Sequence, residues 1–146
     1  MTALQQLGGS IASGVRGSIT PDVREALKLH VIDTMGAWVA TAATQEARAL
    51  TAFRDDVRKA SPGDLALEVM INCALPRLSE IDDIHFASMI TPGAIVVPSA
   101  LTIAASLPRH DADAVAEAIV AGYEAMIRFG TAIDGATNLY RGIWPS

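Results

Sequence analysis

The apolar residues of this chain recur three and four positions apart. Helix-start signals stand at several points, and no βαβ alternation or strand pair appears. Together these observations predict an all-α fold of about six or seven helices. Leu4 to Val15 reads as a first helix, weakened by Gly8 and Gly9 and ended by Gly17 and Ser18. Thr20-Pro21-Asp22 opens the second. Thr is an N-cap acceptor, Pro suits the first helical position, and Asp suits the positive end of the helix dipole. Its inward stripe is Val23, Leu27, Val31, Thr34, Met35 and Trp38, running to about Ala43. Gly36 within it suggests a close helix crossing. Thr44 to Lys59 forms a third helix, with Ala47, Leu50, Phe53 and Val57 on one side. Ser61-Pro62-Gly63-Asp64 is a turn, and Asp64 caps a fourth helix through Leu65, Val69, Ile71 and Cys73. Pro76 predicts a kink or an early end near Ala74. After an irregular acidic segment, Thr91-Pro92 opens a helix to Ser106, broken or kinked at Pro98. A surface turn at Pro108 to Asp111 leads to a last helix, Asp113 to Gly130, with Val115, Ile119, Tyr123, Met126 and Ile127 inward. Gly135 to Ser146 is turn-rich.

Composition narrows the function classes. The chain has 146 residues, the length of one domain, so residues 1–146 are expected to form a single helical domain. It is 51% hydrophobic but only 5% aromatic, so Ala, Ile, Leu and Val must fill the core. Ala94 to Leu107 is apolar yet shorter than the roughly 20 residues a membrane span requires, and Pro98 interrupts it. A net charge of −5 with scattered basic residues argues against nucleic acid. The single cysteine, Cys73, excludes an internal disulfide and fits a reducing compartment. The N-terminus lacks the charged start and apolar block of a secretory signal. The cytoplasm is the expected location. The high apolar content also predicts association, with a second copy or with a complementary C-terminal chain.

The segment Cys73 to Pro108 carries the chemistry. Glu80, Asp82, Asp83 and His85 fall within six residues, followed by Thr91-Pro92-Gly93 and a long apolar run. Ionised groups beside buried apolar sequence are costly unless paired. The carboxylates serve either acid/base work, if burial or mutual repulsion tunes one of them, or simple capping of the next helix. His85 is either a general base or a half-buried ring bonded to a nearby carboxylate. Thr91 either caps a helix or binds a carboxylate. The start of the Pro92 helix offers N–H groups to an anionic substrate. His30 reads as packing, His110 as solvated and Cys73 as an inert core thiol. His85 with Asp82 or Asp83 is too small a set for zinc, and one cysteine cannot hold an iron–sulfur cluster.

Taken whole, that segment resembles the MmgE/PrpD family, which includes 2-methylcitrate dehydratase, cis-aconitate decarboxylase and iminodisuccinate epimerase. The family pattern is an Asp-Asp-Thr-His-like segment, a His-Pro-Gly or His-Pro-Ser turn, and an apolar helix. Ala118 to Gly130 (AIVAGYEAMIRFG) is similar to its Gly-Tyr-Glu helix, and Tyr140 to Ser146 (YRGIWPS) to its Gly-Phe-His-Pro segment. His30 to Ala42 (HVIDTMGAWVATA) resembles its first long helix. The resemblance implies a helical bundle corresponding to the N-terminal part of the family's helical domain, without the family's α/β lid domain. It implies a cofactor-independent lyase or isomerase acting on a small carboxylic acid. Asp83, His85 and Thr91 are then the candidate catalytic residues. Glu80, Asp82, Tyr140, Arg141 and Trp144 are the candidate substrate contacts. Thr91 and Trp144 stand where the family has histidines, so a non-catalytic subunit that binds a partner chain is the competing expectation.

Overall fold

In the computed structural model, residues 1–15, 17, 19–109 and 111–133 are described. Among them six helices follow in order: α1 (Ala3–Val15), α2 (Pro21–Thr41), α3 (Gln45–Ala60), α4 (Leu65–Arg77), α5 (Gly93–Ser106) and α6 (Ala112–Ala132). The all-α expectation holds. The only extended pairing among the described residues is an isolated bridge between His85 and Ile90.

The helix starts are built as the sequence specifies. Thr20 accepts the Val23 N–H, Thr44 that of Ala47, and Asp64 that of Leu67. Asp111 caps α6 through Asp113. Each such bond satisfies one donor that the first turn leaves orphaned, at a value of about 1 kcal/mol. Gly63, at φ +80°, makes the turn before α4 that a side chain would strain.

Neither proline breaks its helix, and for the same reason. Helix α4 continues past Pro76 to Arg77 and α5 runs unbroken through Pro98. Both prolines are almost fully buried, so packing outweighs the loss of one ladder bond. At the end of α4 the Leu78 N–H is shared among the carbonyls of Ala74, Leu75 and Pro76.

Helix α4 lies centrally, against α2, α3 and α5, while α6 packs on α1, α2 and α5. One core cluster joins Ala47, Leu67, Ile71 and Leu75, with Trp38, Leu50 and Val57 against it. A second joins Val96, Val97 and Ile119, with Leu27, Val31, Tyr123 and Met126 around it. Polar bonds tie the layers together. The buried Thr41 hydroxyl donates to the Leu75 carbonyl at 2.9 Å, and Asn72 donates to Thr102 at 2.9 Å. Cys73 is buried against Ser99 and the Ile95 carbonyl, and burial raises its thiol pKa, as suits an inert core thiol.

Three inward assignments need correction. Met35 and Phe53 are exposed, and Ala37 and the aliphatic part of Arg54 take the inner positions instead. No neighbour lies within 4 Å of a Cβ built on Gly36, so no helix crosses there. An extended helix, α2, carries apolar residues on more than one face. Its second stripe, Leu29, Ile32 and Val39, is largely exposed.

Ile71 has 0% exposure at the α4 contact, whereas Met70 beside it is 51% exposed. Ile71→Ala is expected to cost about 2–5 kcal/mol and Met70→Ala about 0.5 kcal/mol or less, as read by urea unfolding.

Candidate functional site

The site is made where the loop between α4 and α5 folds back on the start of α5. Two residues with positive φ, Glu80 and Met89 (both 54°), shape this loop. The left-handed region is uncommon for non-glycine residues and clusters where backbone is held for a purpose. Between them, the His85 N–H bonds the Ile90 carbonyl at 2.8 Å and closes the loop.

Asp82 and Asp83 are adjacent but play different parts. Asp82 is gripped by Arg77 Nη1 at 2.7 and 2.8 Å, and its side chain is only 2% exposed. A nearly buried carboxylate so paired anchors the loop to α4, and its unpaired form would be strongly disfavoured. Glu80 lies 3.8 Å from the same arginine but is 83% exposed. It borders the site without entering it.

Asp83 is the junction. Its Oδ1 accepts the Gly93 N–H at 2.8 Å, and its Oδ2 accepts the Tyr123 hydroxyl at 2.8 Å. His30 Nδ1 approaches Oδ2 to 3.3 Å. One side chain therefore joins the loop, α2, α5 and α6. It also corrects the expected cap of α5. The helix opens at Gly93 after Pro92, with no side-chain cap from the preceding position. Asp83, rather than Thr91, meets its first N–H, because Pro92 already has helical backbone angles. The anion at this helix start is thus the protein's own carboxylate.

Gly93 is required by this closeness. A Cβ there would lie 2.6 Å from Asp83 Oδ1 and 2.7 Å from the Tyr123 oxygen. Burial, together with the hydrogen bond to Asp83 and the charges of Asp83 and Asp33, pushes the Tyr123 phenol far above its usual range. Tyr123 therefore donates to Asp83 and remains neutral at any working pH.

The other candidates fall into two groups. Among the described residues His85 bonds no carboxylate. Its Nδ1 faces Ser88, with the Oγ at 2.7 Å and the backbone N–H at 3.3 Å. Ser88 is fully buried and abuts Gly130, so this pair stiffens the loop. Thr91 is buried immediately before the helix. Tyr140, Arg141 and Trp144 lie outside the described residues, as does His110. Among the described residues no group of three or more His, Cys, Asp or Glu side chains is placed to hold a metal ion. No helix there is long and apolar enough to cross a membrane.

Two residues of this junction escape the sequence reading. The helix pattern marks His30 as packing, yet its side chain is 47% exposed and contacts Asp83. The same pattern marks Tyr123 only as core. A signal existed for it: a buried tyrosine hydroxyl needs a partner, and carboxylates are the strongest acceptors available.

Two measurements check the junction. Gly93→Ala is expected to cost about 1–3 kcal/mol from overpacking, and less in an Asp83→Ala background, where the carboxylate part of the clash is gone and the Tyr123 ring has room to shift. Unfolding of the four proteins of that cycle gives the coupling. The second uses Tyr140→Phe, so that tyrosinate absorbance reports Tyr123 alone. A folded-state pKa above the unfolded value of about 10 leaves stability unaffected by this group below pH ~10 and erodes it as pH rises further. Tyrosinate absorbance should stay absent in the folded protein past pH ~10 and appear together with alkaline unfolding.

With this geometry in place, comparison with known proteins gives one result. Residues 5–145 match the MmgE/PrpD N-terminal domain. No curated protein and no solved structure gives a significant match. The match covers most of α1, all of α2 to α6 and the loop that carries Asp83, and the chain belongs to the MmgE/PrpD family.

Proposed function

We propose that this chain forms the N-terminal part of a lyase or isomerase site for a small carboxylic acid. The observation that carries the reading is Asp83, fixed by the Gly93 N–H and the Tyr123 hydroxyl within a chain of this family. The chemistry is removal of a proton next to a carboxylate. Loss of water or CO₂, or reprotonation, then completes dehydration, decarboxylation or epimerisation. Such a reaction needs a base, an acid and donors for an enolate-like intermediate. Asp83 organises the charged end of the site, and Tyr123 is a neutral donor beside it. Arg141 is a candidate grip for a substrate carboxylate, since a guanidinium binds carboxylates with two parallel bonds. No cofactor enters this scheme, and the cytoplasm is its proposed setting.

A second reading is a non-catalytic helical subunit, or pseudoenzyme, that associates with a partner chain or with itself. The exposed Leu29, Ile32 and Val39 stripe on α2 favours it, because monomers seldom leave large apolar patches in water. Thr91 and Trp144 in place of family histidines favour it too.

The purified chain is expected to show no turnover of 2-methylcitrate or cis-aconitate above the buffer rate, with Thr91→His and Trp144→His together raising it. Loss of one general acid or base typically costs about 10²–10⁴ in rate. If the double variant stays silent and sedimentation shows a stable oligomer with no ligand response, the subunit reading prevails.

A further inference from the structure

We propose that His30 is the proton-transfer group of this site, oriented by Asp83 and standing in for the imidazole that Thr91 does not provide. The inference deepens the lyase or isomerase reading above and rests on it.

Three separate elements converge on this ring. His30 comes from α2, Asp83 from the α4–α5 loop and Tyr123 from α6. The His30 Nδ1 edge meets Asp83 Oδ2 at 3.3 Å. The His30 and Tyr123 ring centroids stand 5.1 Å apart at a tilt of 58°. One edge of the imidazole thus faces the carboxylate at ion-pair distance, and Nε2 lies on the other. The side chain is 47% exposed, so a ligand can reach it.

The neighbouring groups are each committed elsewhere. The Tyr123 proton is engaged on Asp83, and both Asp83 oxygens carry donors. Asp82 is committed to Arg77, and His85 Nδ1 faces the Ser88 hydroxyl, which carries no charge to stabilise an imidazolium. His30 also borders the right place. It meets Oδ2, while Oδ1 meets Gly93, two residues after Thr91. Successive Cα spacing puts the Thr91 Cα within about 7.6 Å of that of Gly93. Beside the two rings is a depression of about 140 Å³, lined by Val23, Ala26, Leu27, Val120, His30 and Tyr123. Its walls are apolar and suit the alkyl carbon of a short carboxylic acid, with the carbon edge of the imidazole forming part of its rim.

In the step, the Nε2 lone pair takes a proton from a carbon next to a carboxylate. The electron pair left on carbon delocalises into that carboxylate. The imidazolium so formed is stabilised by Asp83, and return of a proton to carbon restores both partners. A 3.3 Å contact is long for this pairing, but catalytic hydrogen bonds commonly tighten only when substrate binds.

The test follows proton exchange, which asks less of the site than turnover. The full chain is incubated with cis-aconitate in D₂O, and deuterium entry into its methylene group is followed by NMR. In parallel, imidazole nitrogen spectra report the His30 tautomer and its response to cis-aconitate. The expected result is slow exchange that falls about 10²–10⁴-fold in His30→Gln and returns in part when imidazole is added to His30→Ala. Neutral His30 should carry its proton on Nδ1, and lose that preference in Asp83→Asn. Exchange that persists in His30→Gln but vanishes in Asp83→Asn overturns the assignment of His30 and leaves the lyase or isomerase reading standing. No exchange in any variant, with no change at His30 on adding cis-aconitate, overturns both.

Discussion

A carboxylate inside a helical bundle is tolerable only when its lost hydration is replaced, and Asp83 imposes that condition on four elements at once. Its side chain is 15% exposed. The backbone of α5 supplies one donor, the phenol of α6 another, and α2 brings an imidazole to the same oxygen. Hydrogen bonds to a charged group are worth about 1.5–3 kcal/mol each, and leaving such a group unsatisfied costs more. The loop cannot shift without breaking these bonds, and α5 cannot start elsewhere without losing its first acceptor. The glycine at position 93 follows from the same closeness, since a methyl group would occupy the space of both oxygens.

The sequence displayed the scaffold more clearly than the site, and the reason is range. Caps are local. Thr20, Thr44, Asp64 and Asp111 satisfy donors two or three residues away, so their meaning is written in adjacent letters. Asp83 acts over ten residues to Gly93 and over forty to Tyr123, and no periodicity reports that. Thr91 shows the cost of local reasoning. It has the right chemistry for a cap next to a proline, yet a distant carboxylate took the position. Pro76 and Pro98 teach the same lesson in the other direction, because burial among neighbouring helices overrode a strong local preference. The family resemblance drew attention to Asp83, which the structure places where the loop, α2, α5 and α6 meet. It gave no weight to His30, which sits on a helix whose apolar pattern alone suggests packing.

The adjacent pair Asp82 and Asp83 takes two different places in the structure. Arg77 neutralises Asp82 through two short bonds and fixes the loop to α4. That anchor frees Asp83 to face the other way, toward groups that are not permanently charged. A phenol and an amide donate hydrogen bonds without cancelling the charge. Asp83 therefore keeps a negative field for any imidazole beside it, and an imidazolium there gains what an isolated histidine would lack.

This arrangement also constrains where a substrate's own carboxylates can go. The start of α5 would ordinarily attract an anion, but Asp83 already occupies its leading N–H, and Pro92 contributes none. A second carboxylate placed there would meet the charge of Asp83 at close range and be repelled. Arg77 is committed to Asp82, and Arg24 pairs with Asp113. Anion recognition must therefore come from groups beyond this junction, either from the segment that carries Arg141 or from another chain. The carbon to be deprotonated, by contrast, needs an apolar seat and a base. The apolar walls beside His30 and Tyr123 suit the first, and in the proposed reaction His30 supplies the second. Under the proposed function, charge recognition and proton transfer fall to different parts of the site, and the junction around Asp83 serves the second of them.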